Sequence, residues 1–159
     1  SSKYVDPMCT TNSISRTSYR KTAPGLRTSL YVPLQCLLKQ RGLYTHSVTG
    51  RWGSATTRAV KAWQGTVHHT QRKAFTRSDW TSLLAAGTSR TVLKAGVRGP
   101  DVIRAQRALN AAMAPYLKIT GVYDKATQVA VGAYQKRVGI SPTRVVATLT
   151  WRALTKGRR

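Results

Sequence analysis

The chain has 159 residues, 41% of them apolar, with 27 Lys and Arg against four acids and a formal net charge of +23. No run approaches the roughly 20 apolar residues of a membrane span, so membrane insertion is not expected. With no Glu and only Asp6, Asp79, Asp101 and Asp124, neither the opposed carboxylates of a glycosidase nor the His and acid ligands of a zinc hydrolase are well supplied. A charge this large attracts anionic polymers at long range, over about 8 Å at physiological salt. Acidic wall polymers such as teichoic acids, nucleic acid and anionic membrane surfaces all qualify.

Residues 1–22, rich in Ser, Thr and Arg, lack helical periodicity and read as a basic N-terminal arm. The start at Ser1-Ser2-Lys3 has no signal-peptide core, which fits the mature or trimmed part of a secreted protein. Cys9 lies in this polar segment and Cys36 on an apolar helical pattern. Their even number favours one disulfide over two unrelated thiols. Such a bond would tie down the arm, stabilise the fold by about 3–4 kcal/mol and imply an oxidising compartment.

Residues 23–86 carry three helical segments. Pro33 sits in the opening turn of the first, Gly53 or Ser54 precedes the second, and Thr76 with Asp79 forms a capping pair at the third. A linker follows at 87–92. In residues 93–159, Arg98-Gly99-Pro100-Asp101 has the form of a helix start, with Pro at the first helical position and an acid in the first turn. Val102, Ala105, Gln106, Leu109 and Met113 then recur at three- and four-residue spacing, an apolar stripe interrupted by one inward amide. The chain turns at Gly121, and Asp124 is placed to cap a second helix through Thr127. Ala126, Ala130, Ala133 and Tyr134 of that helix can face the first one. After Gly139 and Pro142, Thr148 can cap a short third helix bearing Trp151 and Leu154.

The two stretches share one register. Positions 30–84 align without a gap to 101–155 at a constant offset of 71, pairing Gln35 with Gln106, Thr49-Gly50 with Thr120-Gly121, Gln64 with Gln135 and Trp80 with Trp151. A period of this length signals a repeated structural unit. The expected fold is therefore all-α: two tandem three-helix bundle modules, 23–86 and 93–159, with short loops and an N-terminal basic arm.

The second stretch reads Leu93-Lys94, Gly96, Arg98-Gly99-Pro100-Asp101-Val102, Gln106, Leu109, Thr120-Gly121-Val122-Tyr123-Asp124, Thr127, Ala130-Val131, Gln135, Gly139, Thr150-Trp151 and Leu154. This pattern resembles the peptidoglycan-binding-domain-1 family. The resemblance implies a compact three-helix module of the kind found beside amidases, muramidases and carboxypeptidases of the cell wall, with peptidoglycan as ligand. The first stretch departs from it: it lacks the Gly-Pro-Asp start, has Trp52-Gly53 in place of Tyr123-Asp124, and has His68-His69 in place of Gly139-Ile140.

Glycans and peptides are gripped by aromatics, amides and a few charges in a shallow groove. The candidate set is Tyr123, Asp124, Thr127, Tyr134 and Gln135 in the second module, and Trp52, Thr56, Trp63 and Gln64 in the first. Helical spacing equally fits a core role for Trp63, Tyr134, Trp80 and Trp151. Gln35 and Gln106 are expected to brace loop backbone, and Asp101 and Asp124 to serve helix starts. No catalytic residue, metal ligand or cofactor is expected. His68 and His69 diverge by about 100° on a helix and read as a solvated loop, and no nucleophile signature surrounds either cysteine. The reading is a non-catalytic, secreted, peptidoglycan-binding protein. Two alternatives stand beside it: a binder of phosphate polymers (teichoic acid or nucleic acid), and a self-associating subunit of a surface layer or filament.

Overall fold

A computed structural model describes residues 6–159; the first five residues of the predicted arm, with its Ser1-Ser2-Lys3 start, lie outside the described residues. Among the described residues the regular structure is helical, in the order α1 (Thr11–Ile14), α2 (Tyr31–Gln40), α3 (Ser54–Thr66), α4 (Arg77–Ala85), α5 (Pro100–Ala112), α6 (Lys125–Arg137) and α7 (Thr148–Thr155). Extended pairing is confined there to isolated bridges. The chain is all-α, as expected.

Two compact units emerge. One holds the chain up to Arg16 and Arg20–Thr76; the other holds Thr17–Tyr19 and Arg77–Arg159. In the first, Leu34 and Leu38 of α2 and Ala59, Val60 and Trp63 of α3 bury together with Tyr44 and Phe75. The arm is not wholly irregular: α1 is one turn, closed by a capping box in which Thr10 Oγ1 accepts from Ser13 N at 3.1 Å and Ser13 Oγ from Thr10 N at 2.8 Å. Apolar periodicity does not register a turn that local hydroxyl bonds nucleate. A disulfide joins Cys9 to Cys36 of α2, with Cα atoms 5.6 Å apart. Beside it, the Asp6 carboxylate accepts from Met8 N at 3.0 Å and Val48 N at 3.1 Å. Those backbone donors, Met8 first, hold its carboxyl below the ordinary range, with Lys39 assisting.

In the second unit, α4 packs against α5 and α7, and α5 against α6. The helix read as the third of the first stretch thus shares a unit with α5. Composition accounts for this, because Ala105, Ala108, Ala111 and Ala112 of α5 are all buried, and small side chains let a neighbouring helix approach closely. Trp80 and Trp151 are fully buried. The Tyr19 ring lies 5.2 Å from that of Trp80, and the Trp151 indole donates to Thr91 O at 2.8 Å. Arg104 fastens this core to the preceding turn. Its guanidinium lies 3.9 Å over the Trp151 ring and donates to Ala85 O, Ser89 O and Asp101 at 2.8, 3.0 and 3.1 Å.

Conformations recur at the sequence offset. Gly25 and Gly96 have φ of 86° and 87°, Gly50 and Gly121 of 72° and 74°, and His68 and Gly139 of 60° and 79°. The bridge between Thr22 and Phe75 recurs between Leu93 and Val146. The register therefore extends back to Gly25-Leu26-Arg27 and Gly96-Val97-Arg98, beyond the point where side-chain types alone carry it. Helix starts follow the expectation in part. Asp124 caps α6 through Thr127 N at 2.9 Å, while Gly53 opens α3 without a side-chain bond. At α7 the cap position is Ala147 and Thr148 is already helical, so its hydroxyl does not cap.

Candidate functional site

The interior holds four buried glutamines: Gln35, Gln64, Gln106 and Gln135. Gln106 Oε1 accepts from Thr120 N at 3.1 Å and Gly121 N at 3.0 Å, while Nε2 donates to Val122 O at 3.1 Å and Thr127 Oγ1 at 2.9 Å. Gln35 does the same one offset earlier, accepting from Thr49 N and Gly50 N at 3.0 Å and donating to Arg51 O at 2.7 Å and Thr56 Oγ1 at 3.0 Å. A primary amide offers two donors and a carbonyl with two lone pairs, so one side chain satisfies a whole loop edge. Gln64 and Gln135 hold the next loops, through Arg72 N and Ala74 O in one case and Arg144 N and Val145 O in the other. The expected bracing role of Gln35 and Gln106 is met, and Gln64 and Gln135, read as ligand contacts, share it.

The other candidates go the same way. Thr56, Trp63, Tyr123, Thr127 and Tyr134 are buried with the two glutamines, and of these Gln135 also borders a cavity of about 600 Å³ beside Ser141 and Thr148. Tyr123 Oη donates to Arg144 O at 2.6 Å and Tyr134 Oη to Arg158 O at 2.7 Å, and burial pushes both phenol pKa values up. Trp52 is half-buried, its indole donating to Thr57 Oγ1 at 2.8 Å and its ring meeting Tyr31 edge-on at 5.8 Å. Asp124 is half-exposed, but its oxygens take Thr127 Oγ1 at 2.6 Å and Thr120 Oγ1 at 3.2 Å. The Thr127 hydroxyl, ahead of the backbone and Thr120, holds the Asp124 carboxyl below its ordinary value. The residues that carry the sequence motif are thus loop clamps and core.

One open, mainly apolar concavity lies a face away. Leu109 of α5, Met113 at its C-cap, Pro115, Tyr116 and Leu117 of the loop, and Ala126, Val129, Ala130 and Ala133 of α6 line an apolar groove of about 320 Å³, within the size range of small-ligand sites. Tyr116 and Val129 stand at its rim, 37% and 46% exposed. The alanines on α6 do face the preceding helix, as expected, but across this gap. Sequence reasoning missed this groove, because alanines on a helix face equally suit close packing, as on α5. Seventy-one residues earlier, Met113, Tyr116 and Val129 become Gly42, Thr45 and Arg58.

Cations gather at one end. Arg77 Nη1 donates to Tyr116 Oη at 3.3 Å, and Arg159 Nε to Ala112 O at 3.0 Å. The acids are spent elsewhere: Asp101 meets Arg104 and Ser89, Asp6 and Asp124 serve the contacts above, and Asp79 is buried in α4. Among the described residues no three His, Cys, Asp or Glu come together to hold a metal ion, and no helix is long and apolar enough to cross a membrane.

A small helical module with saturated polar clamps inside and an apolar groove outside is the class of protein on view. Residues 29–67 and 98–154 match the family described as "Putative peptidoglycan binding domain", together more than half of the chain, and the chain belongs to that family. The first match ends before α4, where the packing also divides. No curated protein and no solved structure matches the chain.

Proposed function

We propose that this is a non-catalytic, secreted, cell-wall protein that binds peptidoglycan through the α5–α6 groove, and that its two matched segments are tandem copies of one three-helix module. The observation that carries the reading is the coincidence of the longer family match with the apolar groove. In sequence the copies run over 23–86 and 93–159, whereas the packing boundary falls at Thr76 and Arg77. Gly42, Thr45 and Arg58 make the corresponding surface of the first copy less apolar, so the second copy is the principal binder. The Cys9–Cys36 disulfide supports an oxidising, extracellular setting.

The test is co-sedimentation with sacculi stripped of teichoic acid, in high salt, with Val129→Asp as the groove variant. The protein is expected to pellet and the variant to stay in solution. The reading fails if the unaltered protein stays in the supernatant while an established wall binder pellets.

A second reading rests on a specific observation. The four acids are committed to internal contacts or buried, so the surface excess of Lys and Arg has little local compensation. Binding to teichoic-acid-bearing wall is then charge-driven, with log affinity falling linearly against log salt. Retention that salt leaves unchanged on both wall preparations would remove it.

A further inference from the structure

We infer that the groove is directional: its arginine end receives the terminal carboxylate of a short peptide whose small apolar side chains lie along Leu109, Val129 and Ala133. This rests on the reading of the groove as the ligand site.

Tyr116 joins the two halves of the argument. Its ring lines the groove and its hydroxyl accepts from Arg77 at 3.3 Å, so the apolar wall runs directly into a guanidinium. Arg159 is pinned by its Nε bond to Ala112 O, at the last residue of α5. Arg137 closes α6. Desolvation, then the charges of Arg77 and Arg137, push the Arg159 guanidinium pKa downward, with Tyr116 opposing. Asp6, Asp101 and Asp124 have the partners already given. Three like charges thus converge at this end of the groove.

An anion placed among them relieves that repulsion. Arginine presents a planar fork that takes a carboxylate through two parallel N–H···O bonds, with each such charge-assisted bond about twice as strong as a neutral one. The groove selects the rest of the ligand. A phosphate or polyol polymer has no apolar part to set against Leu109, Met113, Leu117 and the α6 alanines, whereas a peptide of alanine-sized residues has little else. The α6 surface, with Ala126, Ala130 and Ala133 lining the groove, presents methyl groups along its length and suits apolar side chains.

The experiment titrates the full chain, by calorimetry and by the Tyr116 ring signals in NMR, with N-acetyl-trialanine as the free acid, as the C-terminal amide, and with inorganic phosphate. The acid is expected to bind at least about tenfold more tightly than the amide and to shift Tyr116, with phosphate a weak competitor. Arg77→Gln and Arg137→Gln are expected to abolish the preference for acid over amide. The exposed Arg137 serves as the control should Arg77→Gln lower helicity. Equal affinity for acid and amide overturns the proposal, as does phosphate binding as tightly as the acid. The underlying reading fails separately. If Val129→Asp leaves sedimentation with sacculi unchanged, the groove is not the ligand site. If it abolishes sedimentation while neither peptide binds, the groove stands and the carboxylate assignment falls.

Discussion

The α2–α3 and α5–α6 segments hold their loops with the same bonds and present different surfaces. In both, a buried glutamine accepts from two successive peptide N–H groups, and the chain turns at a glycine of nearly equal φ. Outside that frame, one opens its second helix at Gly53 without a side-chain cap and the other at Asp124 with one. One has Arg58 where the other has Val129. One is stapled by Cys9–Cys36 and the other covered by α4. Replacing a buried amide that serves four partners strands loop N–H groups, whereas a groove wall can change without orphaning a polar atom. The shared motif is therefore about folding, and under the reading proposed above the unshared positions are the ones that would set binding.

The comparison can be broken in order of expected effect. Replacing both Cys9 and Cys36 by Ser should cost about 3–4 kcal/mol through the restored freedom of the unfolded loop. Hydrogen exchange should place the loss in α1–α3 and leave α5–α7 protected. Loss of protection spread evenly over both units would show that the staple is not local.

Next come the clamps. Gln106→Ala strands two loop N–H groups and should cost about 3 kcal/mol, and Gln35→Ala the same, as read from denaturant midpoints. A much smaller loss at Gln35 would mean that the disulfide, not the amide, fixes the first loop.

The caps follow. Asp124→Ala should lose about 1 kcal/mol, and Gly53→Asp should gain about 0.5 kcal/mol. At Gly53 a Cβ meets nothing within 4 Å and the backbone is extended. Because the folded state holds Asp124 below its ordinary 3.8, the unfolded chain takes up the proton first as pH falls. The contribution is full above about pH 5 and disappears as the pH drops through the folded pKa. Asp124→Ala and the parent should therefore converge in stability in strong acid, while differing at neutral pH.

The smallest effect concerns the ends of α3 and α6. His68 holds φ at 60° where Gly139 holds 79°, and an L side chain is strained there. His68→Gly should raise the thermal midpoint by the equivalent of about 0.5 kcal/mol, and Gly139→His should lower it by a similar amount.

The helices α2 to α7, the Asp124 cap and the Gln35 and Gln106 braces were legible because each follows from local spacing or from the hydrogen-bonding valence of one side chain. The core role of Trp80 and Trp151 was legible from helical periodicity. Most of the candidate ligand residues are buried for a physical reason: an amide or phenol beside a Gly turn has the same appearance in sequence whether it faces solvent or the turn's own backbone. The helix α1 escaped because hydroxyls, not apolar residues, define it. The groove escaped because it is made by what α6 lacks, and an alanine reads as packed unless its partner's distance is known. The allegiance of α4 was hidden too, since periodicity gives a helix its apolar face without saying which neighbour takes it.

That allegiance has a bearing on inheritance. The period of the sequence and the division of the packing are out of phase by one helix, since α4 closes the first aligned stretch and shares a core with α5 of the next. A deletion at the copy boundary would carry α4 away and leave the buried alanines of α5 facing water. Such a chain is not a string of separable beads. A recombination event at the copy boundary costs the surviving copy its lid, so the pair is kept or lost as one.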